Sequence, residues 1–595
     1  MEFLSRRQVI AFCALLLLLI TLAYANTLNS PFTLDDSMVI KTEVAQSGEQ
    51  YFSPNPPRYR HLFYLSLAIN YAQGKLDPLG YHLVNISLHF LTTLAIFFIS
   101  YLTIKRGTEW GRQAAPIATI TTLFFALSPV HSETVTYISG RTSGLAGLFY
   151  FSSLLLFILA NFRERGAGSR IFCSLLSLVF FGVAILSKEI SLTLPAIILL
   201  YDFCFMNGDQ WSARKNRVLF FYFPLLICTA FGILIMKSMI FDWWQKIDFV
   251  YALQQTRIIG HGIYLLLFPI GLTFDYDFPD GFFPHPALRA WPLVLLAGLI
   301  ASVARHFPKY TRLVFFCILW FLLTIAPTNS FLPRLDLLSE RNLYIPSFGF
   351  FLLMASLASS LFLSQGPALR KTGTFALVMI LAFHTVLLID RNTTHSSNIA
   401  LWEDTVKKAP GKTRAWQNLS HHYLMSANYE KALESLQGLM RSNPSPKFLS
   451  QAQSKLGIIH SRLGNYPSAI AAYEEAIRLD PSFPINHLNL GGAYMRQGNF
   501  LKAKETYEKA EQLYRNNGYW RNIPTNFFLN KTHILFRLGL YEQAQTTAQT
   551  YLSMVPGSKP GHSILGNIYA AMGKNIDAAH EFAKAEKITN IKKPR

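Results

Sequence analysis

Two patterns of apolar and polar positions divide the chain near residue 391. Up to Asp390, long apolar runs alternate with short polar loops. A helix crossing a bilayer needs about 20 mostly apolar residues. That length predicts spans near 8–25, 81–104, 114–128, 144–161, 171–186, 190–206, 218–236, 291–304, 313–326, 343–363 and 374–390. A further run, 258–274, reads as a re-entrant segment that dips in without crossing. The first span, preceded by Arg6 and Arg7, reads as an uncleaved signal anchor, because Ala23-Tyr-Ala25 leads into a polar loop and many more spans.

From about Lys412 the pattern changes to soluble helices with a 34-residue period. Segment 484–517 carries Gly491, Tyr494, Gly498, Ala503, Tyr507 and Ala510; 450–483 carries Gly457, Gly464, Ala469, Tyr473, Ala476 and Pro481. Segment 559–592 carries Gly566, Tyr569, Gly573, Ala578, Phe582 and Ala585. Weaker copies are Tyr423, Ala432 and Pro444 in 413–446, and Gly539, Ala544 and Pro556 in 525–558. This in-phase pattern resembles the tetratricopeptide (TPR) repeat. The small residues let two helices approach, the aromatics fill the gap between hairpins, and about five hairpins should stack into a superhelix with a concave groove. The expected architecture is all-α: a membrane domain over 1–391 with a large first outer loop 26–80, a linker over 392–411, and a TPR domain over 412–595.

Composition supports the membrane reading. Hydrophobic residues make up 51 % and charged residues 15 %, against about 25 % charge in soluble domains. The net charge of +20 suggests nucleic acid, but the basic residues lie in short clusters between apolar runs, as in membrane loops. Cys13, Cys173, Cys204, Cys228 and Cys317 fall inside apolar segments without CxxC spacing and read as small hydrophobes. With the N-terminus in the cytoplasm, the cytoplasmic segments hold 16 Lys/Arg in 54 residues and the outer ones 12 in 126. This bias favours eleven spans and places everything after residue 390 outside the cytoplasm.

Charged groups at one membrane edge are functional candidates. In this topology the outer loops collect Asp35 and Asp36, Arg60, His131 and Glu133, Arg141, Lys188 and Glu189, and Glu340 and Arg341. Arginine clusters suit phosphate, and a carboxylate can take a proton from an attacking hydroxyl. Such a mixture fits transfer from a membrane-bound phosphate donor. The competing reading is interfacial salt bridging, as for the neighbours Lys188–Glu189 and Glu340–Arg341. No His/Cys set has zinc spacing; a divalent metal on Asp35 and Asp36 is a possible cofactor.

The motifs LDDS, SPVHSETVTYISGR, LSKEISLTLP, FDYD and ERNLYIP, then RNTTHSSNIALWEDTVKKAPGKTRAWQNL leading into the repeats, resemble the transmembrane-and-TPR glycosyltransferase family. That family is similar to the GT-C superfamily, which includes the protein O-mannosyltransferases. The resemblance implies an inverting transfer of mannose or another hexose from a polyprenyl-phosphate donor to Ser/Thr of extracytoplasmic proteins. It implies an acidic motif in the first outer loop, here Asp35-Asp36, acting as catalytic base or binding a metal; Asp35 is the favoured base. Arg60, Arg141, Lys188 and Arg341 are the candidates for the donor phosphate, with His131, Glu133, Glu189 and Glu340 orienting. Acceptor or partner protein would bind the repeats. The short loops suggest a bacterial inner membrane with periplasmic repeats, the endoplasmic reticulum with lumenal repeats being the alternative. Two other functions stay open: a non-catalytic membrane-anchored scaffold, and a transferase acting on a glycolipid.

Overall fold

The structure is a computed structural model that describes residues 5–42, 45–46, 60–108, 111–161, 166–206, 217–235, 247–278, 298, 305, 311–331, 333–334, 336–363, 366–518 and 523–591. All regular structure among these is helical. The chain forms two compact units, Met1–Ala409 and Pro410–Arg595.

In the first unit the long helices are α1 (Arg6–Tyr24), α4 (Pro78–Gly107), α7 (Arg141–Ala160), α8 (Ala167–Ile185) and α14 (Pro367–Thr393). Between them run α2 (Asp35–Ile40), α3 (His61–Gly74), α5 (Ala114–Ala126), α6 (Ser132–Thr136), α9 (Leu194–Phe205), α10 (Phe223–Ile235), α11 (Phe249–Leu267), α12 (Thr311–Ile325) and α13 (Ser347–Ala358). Their ends follow local chemistry. Ser5 forms a capping box with Gln8, and Asp77 caps α4, where Pro78 occupies the first turn. A shared core holds Phe125, Phe151, Trp320 and Phe348.

Helices stand at ten of the eleven expected span positions; 291–304 lies almost wholly outside the described residues. Five described helices are long and apolar enough to cross a membrane, six if the pair Gly111–Ala126 and Pro129–Thr136, bent by 49°, counts as one span. Among the described residues the count does not reach eleven. Its physical reason is length: α9, α12 and α13 have 12, 15 and 12 residues, and at about 1.5 Å per residue these rise less than a hydrocarbon core of about 30 Å. The segment 258–274 ends its helix at Leu267 and continues without regular structure through Gly271 (φ 77°).

The stretch 392–411, expected as a linker, is not bare chain. It contains α15 (Asn398–Lys408), capped by Ser397, and Leu401 and Trp402 are buried in the first unit. The apolar positions Leu401, Trp402 and Val406 recur at helical spacing, which makes an amphipathic helix rather than a spacer.

The second unit is five helical hairpins: α16 (Thr413–Met425) and α17 (Tyr429–Arg441), α18 (Pro446–Arg462) and α19 (Tyr466–Leu479), α20 (Pro484–Gln497) and α21 (Phe500–Asn516), α22 (Thr525–Arg537) and α23 (Tyr541–Met554), α24 (Lys559–Ala571) and α25 (Asn575–Ile591). A Cβ on Gly457, Gly491 or Gly566 would lie 2.5–2.7 Å from the ring of Tyr473, Tyr507 or Phe582. These repeating glycines are therefore needed for close helix approach. Asn428, Asn465 and Asn499 cap the second helix of the first three hairpins.

Candidate active site

The sequence around Leu34 turns sharply. Leu34 has φ 52° and ψ −122°, and its N–H donates to Asn398 Oδ1 at 3.1 Å. Non-glycine residues in such backbone persist only where the surroundings hold them, commonly at functional sites. The turn starts α2 and sends its two acids opposite ways, since successive helix residues differ by about 100°. Asp35 is exposed and lines a cavity of about 360 Å³. Asp36 is buried: Oδ1 accepts from Ser139 N (2.8 Å) and Ser139 Oγ (2.5 Å), and Oδ2 from Thr33 N (3.3 Å). Burial pushes its carboxyl up to about 7, against the lowering effect of these bonds. Asp36 ties the segment after α1 to the segment before α7, and both of its carboxylate oxygens are engaged in that tie.

The same cavity is lined by Arg60, Lys188, Glu189 and Arg341, and by Arg334 and Asp336. Glu189 stands between two guanidinium groups, 3.8 Å from Arg60 Nη2 and 3.7 Å from Arg334 Nη2. These distances are too long for hydrogen bonds. They are field contacts that hold the side chains while leaving N–H donors toward the cavity. Burial raises the Glu189 carboxyl, but Arg60, Lys188 and Arg334 together hold it below its ordinary value. Lys188 Nζ donates to Ser143 Oγ (2.9 Å) and Asn342 Oδ1 (3.1 Å). Burial, with Arg341, Arg60 and Arg334 nearby, lowers its ammonium to about 7 despite Glu189.

Glu133 does not reach the cavity; it positions Arg341. Its carboxylate accepts from Ser339 Oγ (2.9 and 3.1 Å) and from Arg341 N (3.0 Å), and lies 3.5 Å from Arg341 Nε. The Arg341 guanidinium also packs over the Tyr137 ring at 5.6 Å. Burial lowers Arg341, but Glu133, Tyr137, Asp336 and Asp35 leave it above the ordinary arginine value.

Three expected residues lie elsewhere. Arg141 is fully buried. Its Nε donates to Asn85 Oδ1 (2.7 Å), Nη1 to Asn70 Oδ1 (2.7 Å) and Ser66 Oγ (3.2 Å), and Nη2 to the Tyr81 carbonyl (2.9 Å). Its donors are consumed by the fold, so it is not placed to hold a donor phosphate. His131 is buried among Phe125 and Tyr344, with Nδ1 donating to the Phe125 carbonyl (2.8 Å) and Nε2 3.0 Å from Ser347 Oγ. Glu340 accepts from Tyr276 Oη (2.8 Å) and from Arg391 Nη2 (3.1 Å); Arg391 also bonds Asp404 at 3.3 Å. Burial, partly offset by Arg391, raises Glu340 to about 7.

Arg334, Asp336 and Asn342 were not singled out from the sequence. The sequence signal for them is their place in the polar segment 327–342 between two apolar runs. A metal bridging Asp35 and Asp36 does not fit, because the Asp36 oxygens are taken by Ser139 and Thr33. Among the described residues, no three His, Cys, Asp or Glu side chains group as metal ligands.

Comparison with known proteins agrees with this organisation. Family profiles described as TPR repeat and tetratricopeptide repeat match residues 457–498 and 484–517. The mouse "Protein O-mannosyl-transferase TMTC3" is 24 % identical over 507 residues, covering 77 % of this chain and 53 % of that protein. The Drosophila melanogaster Tmtc3 is 24 % identical over 565 residues, covering 81 % and 59 %. Human TMTC4 is 26 % identical over 426 residues, covering 63 % and 56 %. The chain thus spans about half the length of the curated relatives it matches. A solved structure titled "MamA MSR-1 C2" covers 30 % of this chain and 97 % of its own, at 17 % identity and a TM-score of 0.26. Over most of its length this chain is similar to proteins named protein O-mannosyl-transferases, and its C-terminal part matches the tetratricopeptide repeat.

Proposed function

We propose that the chain is a membrane glycosyltransferase that moves a hexose from a polyprenyl-phosphate donor to Ser/Thr of extracytoplasmic proteins. The observation that carries this is one cavity lined by an exposed acid, Asp35, and four cations, Arg60, Lys188, Arg334 and Arg341. The cations hold the donor phosphate through charge-assisted donors. Asp35 takes the proton of the acceptor hydroxyl as its oxygen bonds the anomeric carbon. The bond from that carbon to the phosphate oxygen breaks, and the polyprenyl phosphate leaves with the electron pair. Attack opposite the leaving group inverts the anomeric centre. Glu189 and Glu133 orient the arginines, and Asp36 fixes the loop that carries Asp35. The transition state resembles an oxocarbenium ion, as in glycoside hydrolysis.

In this reading the cavity and the repeats face the outer side of a bacterial inner membrane. The repeats, residues 412–595, bind acceptor or partner protein, which favours protein over glycolipid acceptors. The test is direct. Purified full-length protein in lipid nanodiscs is given polyprenyl-phosphate mannose and a Ser/Thr-rich peptide, and peptide mass is read. Addition of one hexose per modified hydroxyl is expected. Donor hydrolysis without peptide modification, or modification of a glycolipid in its place, would overturn the protein-acceptor reading.

A further inference from the structure

The repeat unit separates its charges by helix. The first helices of the five hairpins, α16, α18, α20, α22 and α24, contain eight Lys/Arg and no Asp or Glu. The second helices, α17, α19, α21, α23 and α25, contain eleven Asp/Glu and nine Lys/Arg. A solvated helix surface normally mixes both signs, as the second helices do.

The first helices form the inner layer of the stack. They bond directly to one another across repeats: Lys455 Nζ donates to Ser420 Oγ (2.9 Å), Asn486 Nδ2 to Ser450 Oγ (3.0 Å) and Asn489 Nδ2 to Ser454 Oγ (3.4 Å), and Gln417 bonds Gln451. Successive first helices pack together, while successive second helices touch much less. Within this layer Arg462, Arg496 and Arg537 occupy the same position near the end of three consecutive first helices, and all three are exposed. Arg537 stacks on the Phe500 ring at 4.5 Å. Among the described residues none of the three forms an ion pair with a carboxylate.

We infer that this inner layer docks an extended acidic polypeptide segment, its carboxylates meeting the ladder Arg462, Arg496 and Arg537 with Lys455 beside it. The proposal deepens the acceptor-binding role assigned above and rests on that reading. The spacing adds a specification. Packed helices lie about 8–10 Å apart, and an extended chain advances about 3.3 Å per residue. One carboxylate therefore meets each arginine when acids recur at about every third residue. A row of adjacent helix rungs, each presenting one arginine, suits a single extended chain laid across them.

The test uses full-length protein in nanodiscs of neutral lipid and needs no sugar donor. Binding of a fluorescent peptide repeating Glu-Ser-Ala is read by anisotropy, beside one repeating Lys-Ser-Ala and one with the same composition but its glutamates clustered. The Glu-Ser-Ala peptide should bind best, and binding should weaken as salt is raised. The combined reversal Arg462→Glu, Arg496→Glu and Arg537→Glu should weaken it on the order of a hundredfold and bring on binding of the lysine peptide. Unchanged helical circular dichroism controls for folding. Equal binding of both signs of peptide, or unchanged affinity after reversal, would overturn the proposal. So would capture of vesicles containing anionic lipid by these arginines with no peptide binding. Acidic-peptide binding without hexose transfer counts against the proposed activity alone; transfer without acidic-peptide binding counts against this inference alone.

Discussion

Removing the Asp36 carboxylate separates its structural role from the chemistry of its neighbour. Asp36→Ala deprives three donors of their acceptor: Ser139 N, Ser139 Oγ and Thr33 N. The Ser139 hydroxyl can rotate to another partner; the two backbone N–H groups cannot. Each unsatisfied buried donor costs about 1–3 kcal/mol, so with two such donors the loop tie loses about 2–6 kcal/mol. At about 1.4 kcal/mol per factor of ten, local opening around α2 becomes about 30-fold to more than 10,000-fold more frequent. The assay is limited proteolysis of protein in nanodiscs, with cleavage mapped between residues 26 and 42, alongside a thermal scan. Asp35→Asn serves as control, because an exposed side chain away from such ties changes stability by about 0.5 kcal/mol or less. If Asp36→Ala is cleaved at the wild-type rate, Asp36 does not hold the loop and the division of labour between the two acids is wrong.

The titration of Lys188 gives opposite pH slopes for activity and stability. Transfer should fall as pH rises above about 7, where the ammonium that faces the donor loses its proton. Stability should rise over the same range, because the unfolded chain there binds a proton that the fold does not; Lys188→Arg should move the activity limb to higher pH. Arg141→Lys leaves Asn85, Asn70 or the Tyr81 carbonyl without a donor. It should lower thermal stability by about 2–4 kcal/mol while the surviving enzyme keeps its KM for donor, whereas Arg334→Ala should raise that KM. Ala427 holds φ 58° at the position where later hairpins place Gly464, Gly498, Gly539 and Gly573. Ala427→Gly should therefore stabilise the first hairpin by about 0.5–1 kcal/mol in chemical denaturation.

What the sequence disclosed depended on how local its causes are. The repeats were legible because glycine and aromatic recur in phase, and the contact of Gly491 with the Tyr507 ring is the physical reason for that phase. Asp35, Arg60, Lys188, Glu189 and Arg341 were legible as charges at loop edges, and they line one cavity. Arg141 looked the same in the sequence. What distinguishes it is a set of acceptors on α3 and α4, Ser66, Asn70 and Asn85, 56 to 75 residues away, which no local pattern announces. The separation of Asp35 from Asp36 needed the turn at Leu34, where a leucine adopts positive φ without a glycine to mark it. Span length was least legible, since apolar runs do not reveal where helices such as α9 and α13 stop.

Hexose transfer by Asp35→Asn tests the central claim most directly. Asparagine keeps the size and polarity of Asp35 but cannot take a proton, and a positioned general base contributes about 10²–10⁴-fold. Transfer from polyprenyl-phosphate mannose to a Ser/Thr peptide should fall by that factor, with donor binding and thermal stability close to wild type. Wild-type transfer by Asp35→Asn would contradict the account, because the cavity would then lack the base on which the proposed reaction depends.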